Sequence, residues 1–337
     1  MKAIFLVVLF FNSLVSYSQQ TIDVDVKPNP LKFVETSLYP EYKYPMKKLI
    51  WIRVMDTLSI IHFNKDGNPE IVYEYGKNSK RVSQTTYQYV NKLKTEMNYC
   101  SKYDQSIIKY KYNAKNKITE WSKSYTYFDK NVHRSTEFDN FTWAFEYDNK
   151  GNLVKKYYVN DKNEKDLTAQ YIYDQQNKLI NAVLKQYNIS FKYDKGLLVK
   201  RADLFVPGNQ YFYESTFKYN DSGKLFQQSN GSYDLTYTYD GGFIKKCEYL
   251  YKKNKSNETI EFFYNNNALV RVEIDQSDYF SLSPFIFMSD YLFNAKKDNR
   301  IKLKIEFIYD SFKNITEVRY FVRDVYMYSS KFIYEYY

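Results

Sequence analysis

A short motif recurs along most of this chain: an aromatic residue, any residue, Tyr, then Asp or Asn, a few turn-forming residues and an aliphatic residue. Its clear copies are Tyr110–Ile118, Phe145–Leu153, Tyr171–Leu179, Phe191–Val199, Phe217–Leu225, Tyr237–Ile244, Phe262–Val270 and Phe307–Ile315. Weaker copies lie at His62–Ile71 and Tyr87–Leu93. The motif tyrosines from Tyr147 to Tyr264 follow one another at intervals of 20 to 26 residues. Such a period is typical of a repeat architecture.

Each copy of the motif predicts a β-hairpin. Aromatic residues two positions apart, such as Phe145 and Tyr147, point to the same face of a strand and suit a half-buried pleated surface. The Asp or Asn that follows can bond to backbone N–H groups two residues on, Gly151 supplies a positive φ, and Leu153 begins the returning strand. The residues predicted to open these turns are Asn113, Asp148, Asp174, Asp194, Asn220, Asp240, Asn265 and Asp310.

The repeat also predicts the fold class. One hairpin cannot bury its own face, so neighbouring hairpins must join into one sheet, and no sustained 3.6-residue periodicity supports helices. We expect an all-β protein: a long antiparallel meander of about 20 strands, as a curled sheet or barrel-like, with the choice between an open sheet and a closed barrel left open. Many of the 39 Tyr and 25 Phe residues are then strand anchors.

The motif resembles the YD repeats of the Rhs and teneurin class, as in Tyr147-Asp148-x-x-Gly151-x-Leu153. Asn152 stands where Rhs repeats usually have Arg. The chain is also similar to a family of small secreted Gram-negative proteins that carry a Pro-containing hydrophobic insertion near the C-terminus, here Ser281–Phe293, followed by a final hairpin at Phe307–Val318. That resemblance implies a porin-like β fold and no assigned activity.

The N-terminus has the pattern of a secretory signal. Lys2 precedes an unbroken apolar run at Ala3–Phe11, and small residues stand at Ser16 and Ser18. We therefore predict a signal peptide at 1–18, an extended Pro-containing arm with the first strand at 19–56, and the repeat domain at 57–337 with an aromatic insertion at 275–300. The run is too short for a transmembrane helix and no later one approaches ~18 residues. We expect an exported protein of the periplasm, the outer-membrane surface or the extracellular space.

The insertion and the tryptophans are the candidate ligand-binding features. Phe285, Phe287 and Tyr291 lie in a segment without a clear motif, which is either a plug over the sheet or a binding loop. Trp121 and Trp143, with Trp51, could form a flat platform for sugars, although aromatic residues at period two are also ordinary sheet core.

Few residues of this chain are His or Cys, two of the types that usually perform catalysis or bind metal ions. It has 2 His and 2 Cys, and we identify no catalytic residue, no metal site and no cofactor. His62 and His133 lack a metal or triad context. Cys100 and Cys247 are separated by about 60 Å in a flat sheet, at two strands of ~4.8 Å per repeat, so we expect free thiols and no disulfide.

The sequence therefore predicts a non-catalytic secreted or envelope interaction scaffold, with a protein or glycan of the cell envelope as partner. The alternatives are a carbohydrate-binding or carbohydrate-processing protein and an outer-membrane β-barrel. The 49 basic residues exceed the 39 acidic residues, but Lys is spread along the repeats, and with an export signal we expect no nucleic-acid partner. Nothing in the pattern requires an oligomer, and we expect a monomer.

Overall fold

The structure is a computed structural model, which describes residues 46–53, 56–76, 78, 80–128, 140–205, 210–253, 255–276 and 301–336. These described residues form 22 β-strands and no α-helix. None of their elements is a helix of the length and apolarity needed to cross a bilayer. The predicted signal peptide, and the arm as far as residue 45, lie outside the described residues.

The strands are six to twelve residues long. The first eleven are β1 Met46–Arg53, β2 Asp56–Phe63, β3 Pro69–Tyr75, β4 Arg81–Val90, β5 Leu93–Ser101, β6 Asp104–Tyr112, β7 Ile118–Tyr127, β8 Phe141–Tyr147, β9 Leu153–Val159, β10 Lys165–Tyr173 and β11 Leu179–Leu184. The others are β12 Tyr187–Asp194, β13 Leu197–Phe205, β14 Gln210–Tyr219, β15 Leu225–Asn230, β16 Tyr233–Asp240, β17 Phe243–Tyr251, β18 Asn257–Asn265, β19 Ala268–Gln276, β20 Ile301–Tyr309, β21 Ile315–Val322 and β22 Val325–Tyr336.

Strands that follow one another in the chain pair antiparallel, as β6 with β7 and β16 with β17. The predicted all-β antiparallel meander is confirmed, and 22 strands agree with the expected number of about 20. Each repeat accordingly holds two strands. The first strand, β1, also pairs with the last, β22. Trp51 stacks on Phe332 with ring centroids 6.0 Å apart, and Lys48 Nζ lies 3.1 Å from Glu335 Oε1 across these two strands.

The chain divides into two compact units. Among the described residues, the N-terminal unit falls within Tyr42–Lys192, Arg201–Glu214 and Lys331–Tyr337, and the C-terminal unit comprises Tyr193–Lys200 and Ser215–Ser330. In the C-terminal unit six of the most deeply buried side chains are aliphatic. They are Leu225, Ile260, Val272, Ile274, Ile305 and Val318, each at most 2% exposed. This unit also buries polar side chains such as Glu258 and Asn314, and the N-terminal unit buries Met46 and Leu49 together with the polar Thr85.

A β-bulge sits beside the motif tyrosine in each repeat hairpin for which the register is known. In the β8–β9 hairpin Glu146 pairs with Lys155 but Tyr147 pairs with Leu153, so that Val154 is skipped. The same shift occurs at Tyr89, Tyr112, Tyr173, Tyr219, Tyr239, Tyr264 and Tyr309. A bulge inserts one residue, so the residues beyond it on the return strand change face relative to simple alternation.

Candidate functional site

The hairpins use two kinds of turn, and the first is a five-residue loop opened by Asp or Asn. In the β8–β9 turn, Asp148 Oδ1 accepts a bond from the Asn152 N–H at 2.8 Å, and the Asp148 N–H donates to the Asn152 carbonyl at 2.9 Å. Gly151 there has a φ of +88°. The structure places five of the predicted turn residues in this geometry, namely Asn113, Asp148, Asp174, Asn220 and Asp310. Asn64 and Asn160 open loops of the same kind.

The second kind of turn has two residues between the strands. Asp194, Asp240 and Asn265 are the last residues of β12, β16 and β18, directly before such turns. In the β18–β19 turn both Asn266 and Asn267 have positive φ, at 49° and 63°, as a type I′ turn requires. These three residues therefore end strands and do not open a five-residue loop.

In seven hairpins the motif tyrosine links the hairpin to the one before it. The Tyr147 hydroxyl donates to the carbonyl oxygen of Ile118 at 2.8 Å, and Ile118 is the residue paired with Tyr112, the motif tyrosine of the preceding hairpin. The seven bonds of this type run from Tyr89 to Pro69, Tyr112 to Lys94, Tyr147 to Ile118, Tyr173 to Leu153, Tyr219 to Leu198, Tyr239 to Leu225 and Tyr309 to Leu269, at 2.6 to 3.0 Å.

These hydroxyl groups remain protonated donors through the neutral range. Burial raises the pKa of Tyr239 and of Tyr309 to about 12, and it also raises the pKa of Tyr147 and Tyr219 above the ordinary value. A buried hydroxyl that donates to a backbone carbonyl satisfies a polar group of the return strand. Because the acceptor is a main-chain atom, the bond is independent of the side chain at that position.

Trp121 and Trp143 are direct cross-strand partners in the N-terminal unit. They belong to a row of four aromatic residues on consecutive strands, in which Tyr110 pairs with Trp121, Trp121 with Trp143, and Trp143 with Tyr158. The row lies on the face that carries the buried Tyr110 and Phe145. Trp51 is not part of it, because it stacks on Phe332 of β22. The structure therefore brings together two of the three tryptophans of the predicted platform.

Two lysines of the same face lie against this row. Lys94 Nζ is 4.7 Å from the centroid of the Tyr110 ring, and Lys156 Nζ is 3.9 Å from that of the Trp143 ring. Neither amine has a hydrogen bond or ion pair with another described residue. Burial lowers the pKa of Lys94 to about 8 and lowers that of Lys156 below its ordinary value, because it disfavours the charged form. The ring faces offset part of that cost by cation–π attraction.

A polar cluster that the motif did not indicate is formed by residues of β3, β4, β5, β6 and β7. Glu74 Oε2 accepts a bond from Ser83 Oγ at 2.7 Å, and burial raises the pKa of Glu74. Asp104 accepts bonds from Ser101 Oγ and from the Tyr125 hydroxyl. The pKa of Tyr125 is raised, first by burial and then by its bond to this carboxylate. Both carboxylates are thus held by hydroxyl donors.

Other predicted features are located as follows. Cys100 is exposed and Cys247 is buried, and both are free thiols. Burial raises the pKa of the Cys247 thiol, which keeps it protonated. The described part of the chain contains no group of three His, Cys, Asp or Glu side chains able to hold a metal ion. His62 contacts the Tyr73 ring edge-on, with centroids 5.9 Å apart.

The predicted binding residues of the insertion, Phe285, Phe287 and Tyr291, lie outside the described residues, as does His133. Trp121 and Trp143 are therefore the predicted ligand-binding residues whose surroundings are known. Lys94 and Lys156, which the sequence did not indicate, lie beside the same aromatic row.

The hairpin geometry and its tyrosine bonds define a repeat that can be compared with known proteins. The family model of the teneurin YD-shell matches residues 47–273, about two thirds of the chain. The chain belongs to the teneurin YD-shell family. The resemblance predicted from the Tyr-Asp motif is confirmed by this match. No curated protein matches the chain.

Three solved structures are similar to this YD-shell chain. The complex of TcdB2–TccC3 with Cdc42 aligns over 81% of this chain and 16% of that chain, with 12% identity and a TM-score of 0.40. A porin-like protein from Bacteroides uniformis aligns over 86% and 97%, with 8% identity and a TM-score of 0.28. Its counterpart from Bacteroides vulgatus aligns over 86% and 98%, with 9% identity and a TM-score of 0.23. The chain spans less than a fifth of the TcdB2–TccC3 chain.

Proposed function

We propose that this YD-shell chain is an exported, non-catalytic scaffold of the cell envelope or the extracellular space that holds a surface for a protein or glycan partner. The observation that carries the proposal is the set of seven tyrosine-to-carbonyl bonds at one repeated position. They join seven hairpins to their predecessors through backbone acceptors, which suits a rigid support. The apolar run at Ala3–Phe11 supports export.

Fractionation of a Gram-negative host that expresses the full chain with a C-terminal epitope tests the exported location. We expect the protein outside the cytoplasm, with Gln19 as the new N-terminus by mass spectrometry. Val8→Asp places a charge in the apolar run and should leave an uncleaved precursor inside the cell. Val325→Asp changes an exposed valine far from that run and serves as the matched control. A wild-type chain retained in the cytoplasm with Met1 in place would contradict export.

A second candidate function is carbohydrate binding, which we propose because Trp121 and Trp143 are cross-strand partners within a row of four aromatic residues. Flat aromatic faces offer an apolar stacking surface to sugar rings. Binding to a glycan array that is lost in Trp121→Ala or Trp143→Ala, and kept in Trp51→Ala, would support this role. Equal loss in all three variants would point to unfolding, which circular dichroism of each variant distinguishes.

A further inference from the structure

The two faces of the strands that carry the aromatic row differ in how their lysines are paired with carboxylates. On the opposite face of the same strands, basic residues pair with acids. Lys111 Nζ lies 2.7 Å from Glu120 Oε1, and Lys155 Nζ lies 3.7 Å from Glu146 Oε2. On the row's own face, Lys94 and Lys156 have no carboxylate partner among the described residues. A desolvated cation that keeps no counter-ion carries an energetic cost unless another group compensates it.

The two amines bracket the aromatic row. Lys94 lies on β5 and Lys156 on β9, which are four strand steps apart, or about 19 Å. Between them the row from Tyr110 to Tyr158 spans three steps, or about 14 Å. That span matches a short oligosaccharide better than a single sugar. The indole Nε1 of Trp121 is a further donor in this row, buried and with no acceptor among the described residues.

The acidic groups of this face are each bonded to other residues: Asp166, the cross-strand partner of Tyr158 at the end of the row, forms an ion pair with Lys185. Asp104 is on the same strand and face as Tyr110 but six residues along it, about 20 Å at 3.3 Å per residue, and it is bonded to Ser101 and Tyr125. Glu74 is bonded to Ser83. The charges beside the row that lack a counter-ion among the described residues, those of Lys94 and Lys156, are therefore positive, which favours an anionic ligand over a neutral or cationic one.

We propose that the row Tyr110–Trp121–Trp143–Tyr158, with Lys94 and Lys156, is a binding site for an acidic oligosaccharide, whose rings stack on the aromatic side chains and whose carboxylates pair with the two amines. The inference rests on the carbohydrate-binding role proposed above. It adds the chemical class of the ligand and two residues that select it. An ammonium–carboxylate pair formed away from water is a charge-assisted hydrogen bond, the stronger kind.

The test is a titration of the full chain with tri-galacturonic acid, maltotriose and inorganic phosphate, each in a separate experiment. Binding is measured by tryptophan fluorescence and by calorimetry. The chain has 3 Trp, two of them in the row, so a bound sugar should change the emission. We expect saturable binding of tri-galacturonic acid, at least tenfold weaker binding of maltotriose, and no saturation with phosphate. Lys94→Gln and Lys156→Gln should each weaken the acidic ligand about tenfold or more without affecting maltotriose.

Lys155→Gln is the matched control, because Lys155 is the sequence neighbour of Lys156 and lies on the opposite face. It should leave the Kd unchanged within about twofold. Equal affinity for the acidic and neutral trisaccharides, or an equal loss in Lys155→Gln, would overturn the acidic-ligand inference while leaving carbohydrate binding in place. Absence of binding for both trisaccharides would overturn both. Saturation by phosphate as tight as by tri-galacturonic acid would identify a simple anion site and also overturn it.

Discussion

The β4–β5 and β18–β19 hairpins share one backbone plan but differ in one side chain. Both have two-residue turns with positive φ at both positions, and in both the residue paired with the motif tyrosine gives its carbonyl to the next motif tyrosine. That residue is Leu269 in β18–β19, buried at 5% exposure, and Lys94 in β4–β5. The hydrogen-bonded frame therefore does not specify the side chain at this position. The side chain is free to serve a purpose other than holding the fold together.

The largest effect on stability is expected when a lysine replaces the leucine of the β18–β19 hairpin. Leu269→Lys would bury an unpaired cation in the C-terminal unit and should cost about 3–5 kcal/mol in the free energy of unfolding, measured by urea denaturation. Leu250→Lys in the same unit changes a half-exposed leucine and should cost no more than about 0.5 kcal/mol. Equal costs for the two variants would show that the position paired with the motif tyrosine is no more desolvated than the position of Leu250.

The reverse exchange, Lys94→Leu, should stabilise the protein at pH 7 by roughly 2 kcal/mol. The folded-state pKa of Lys94 is about 8 against an ordinary value of 10.5, so the unfolded chain holds the proton more tightly. The penalty is complete below pH 8 and is relieved as the pH rises from 8 to 10.5. Over that window Tyr87 and Tyr89 stay neutral, because burial raises the pKa of each above its ordinary value.

The measurement is urea unfolding of both proteins at pH 7, 8, 9 and 10. We expect the advantage of the variant to shrink steadily with pH. A constant difference across the series would mean that Lys94 titrates in the folded protein as it does in the unfolded chain, and the desolvation argument would fail.

Removal of one tyrosine hydroxyl tests whether the two hairpins share the same frame. Tyr112→Phe and Tyr309→Phe remove the bonds to the carbonyls of Lys94 and Leu269, and each should cost about 1 kcal/mol. Similar losses of stability in the two variants would show that the hydrogen bond contributes equally whichever side chain the acceptor residue carries. A loss confined to Tyr309→Phe would show that the bond to the Lys94 carbonyl contributes nothing, so that the two hairpins do not share one frame.

The smallest effect concerns the five-residue turns. The amide of Asn152, followed by backbone N–H groups, holds the pKa of the Asp148 carboxyl below its ordinary value of 3.8. Its stabilising contribution is therefore present above that value and is lost as the pH falls through the lower folded-state pKa. Asp148→Asn keeps the loop geometry that Asn220 already has, and should remove this part of the acid sensitivity. Unchanged acid unfolding midpoints would contradict this assignment.

Much of the fold can be predicted from the motif. One short stretch of sequence indicates where a strand ends, which residue opens the turn and which aromatic residue is buried. The turns at Asn160 and at Arg323–Asp324 lack the preceding Tyr-x-Tyr and were not predicted. They show that turn chemistry alone suffices where tertiary pairing positions the strands.

The lysines beside the aromatic row could not be predicted for a different reason. Simple alternation from Leu153 places Lys155 on the tyrosine's face and Lys156 on the opposite face. The bulge that skips Val154 reverses this, so that Lys156 pairs with the buried Phe145. A single inserted residue thus decides which of two adjacent lysines meets Trp143. The motif contains no signal for that register shift before the strands are paired.

The tyrosine bonds also bear on how such a chain can grow. Each donor reaches a main-chain oxygen of the preceding hairpin, and every residue type supplies that oxygen. A copied hairpin therefore fits behind any other without a compensating substitution. Five-residue and two-residue turns present the same acceptor, as Leu225 and Leu269 do. Duplication or deletion of whole hairpins can therefore change the length of the array while the frame accepts different side chains, such as Lys94 and Leu269, at the acceptor position.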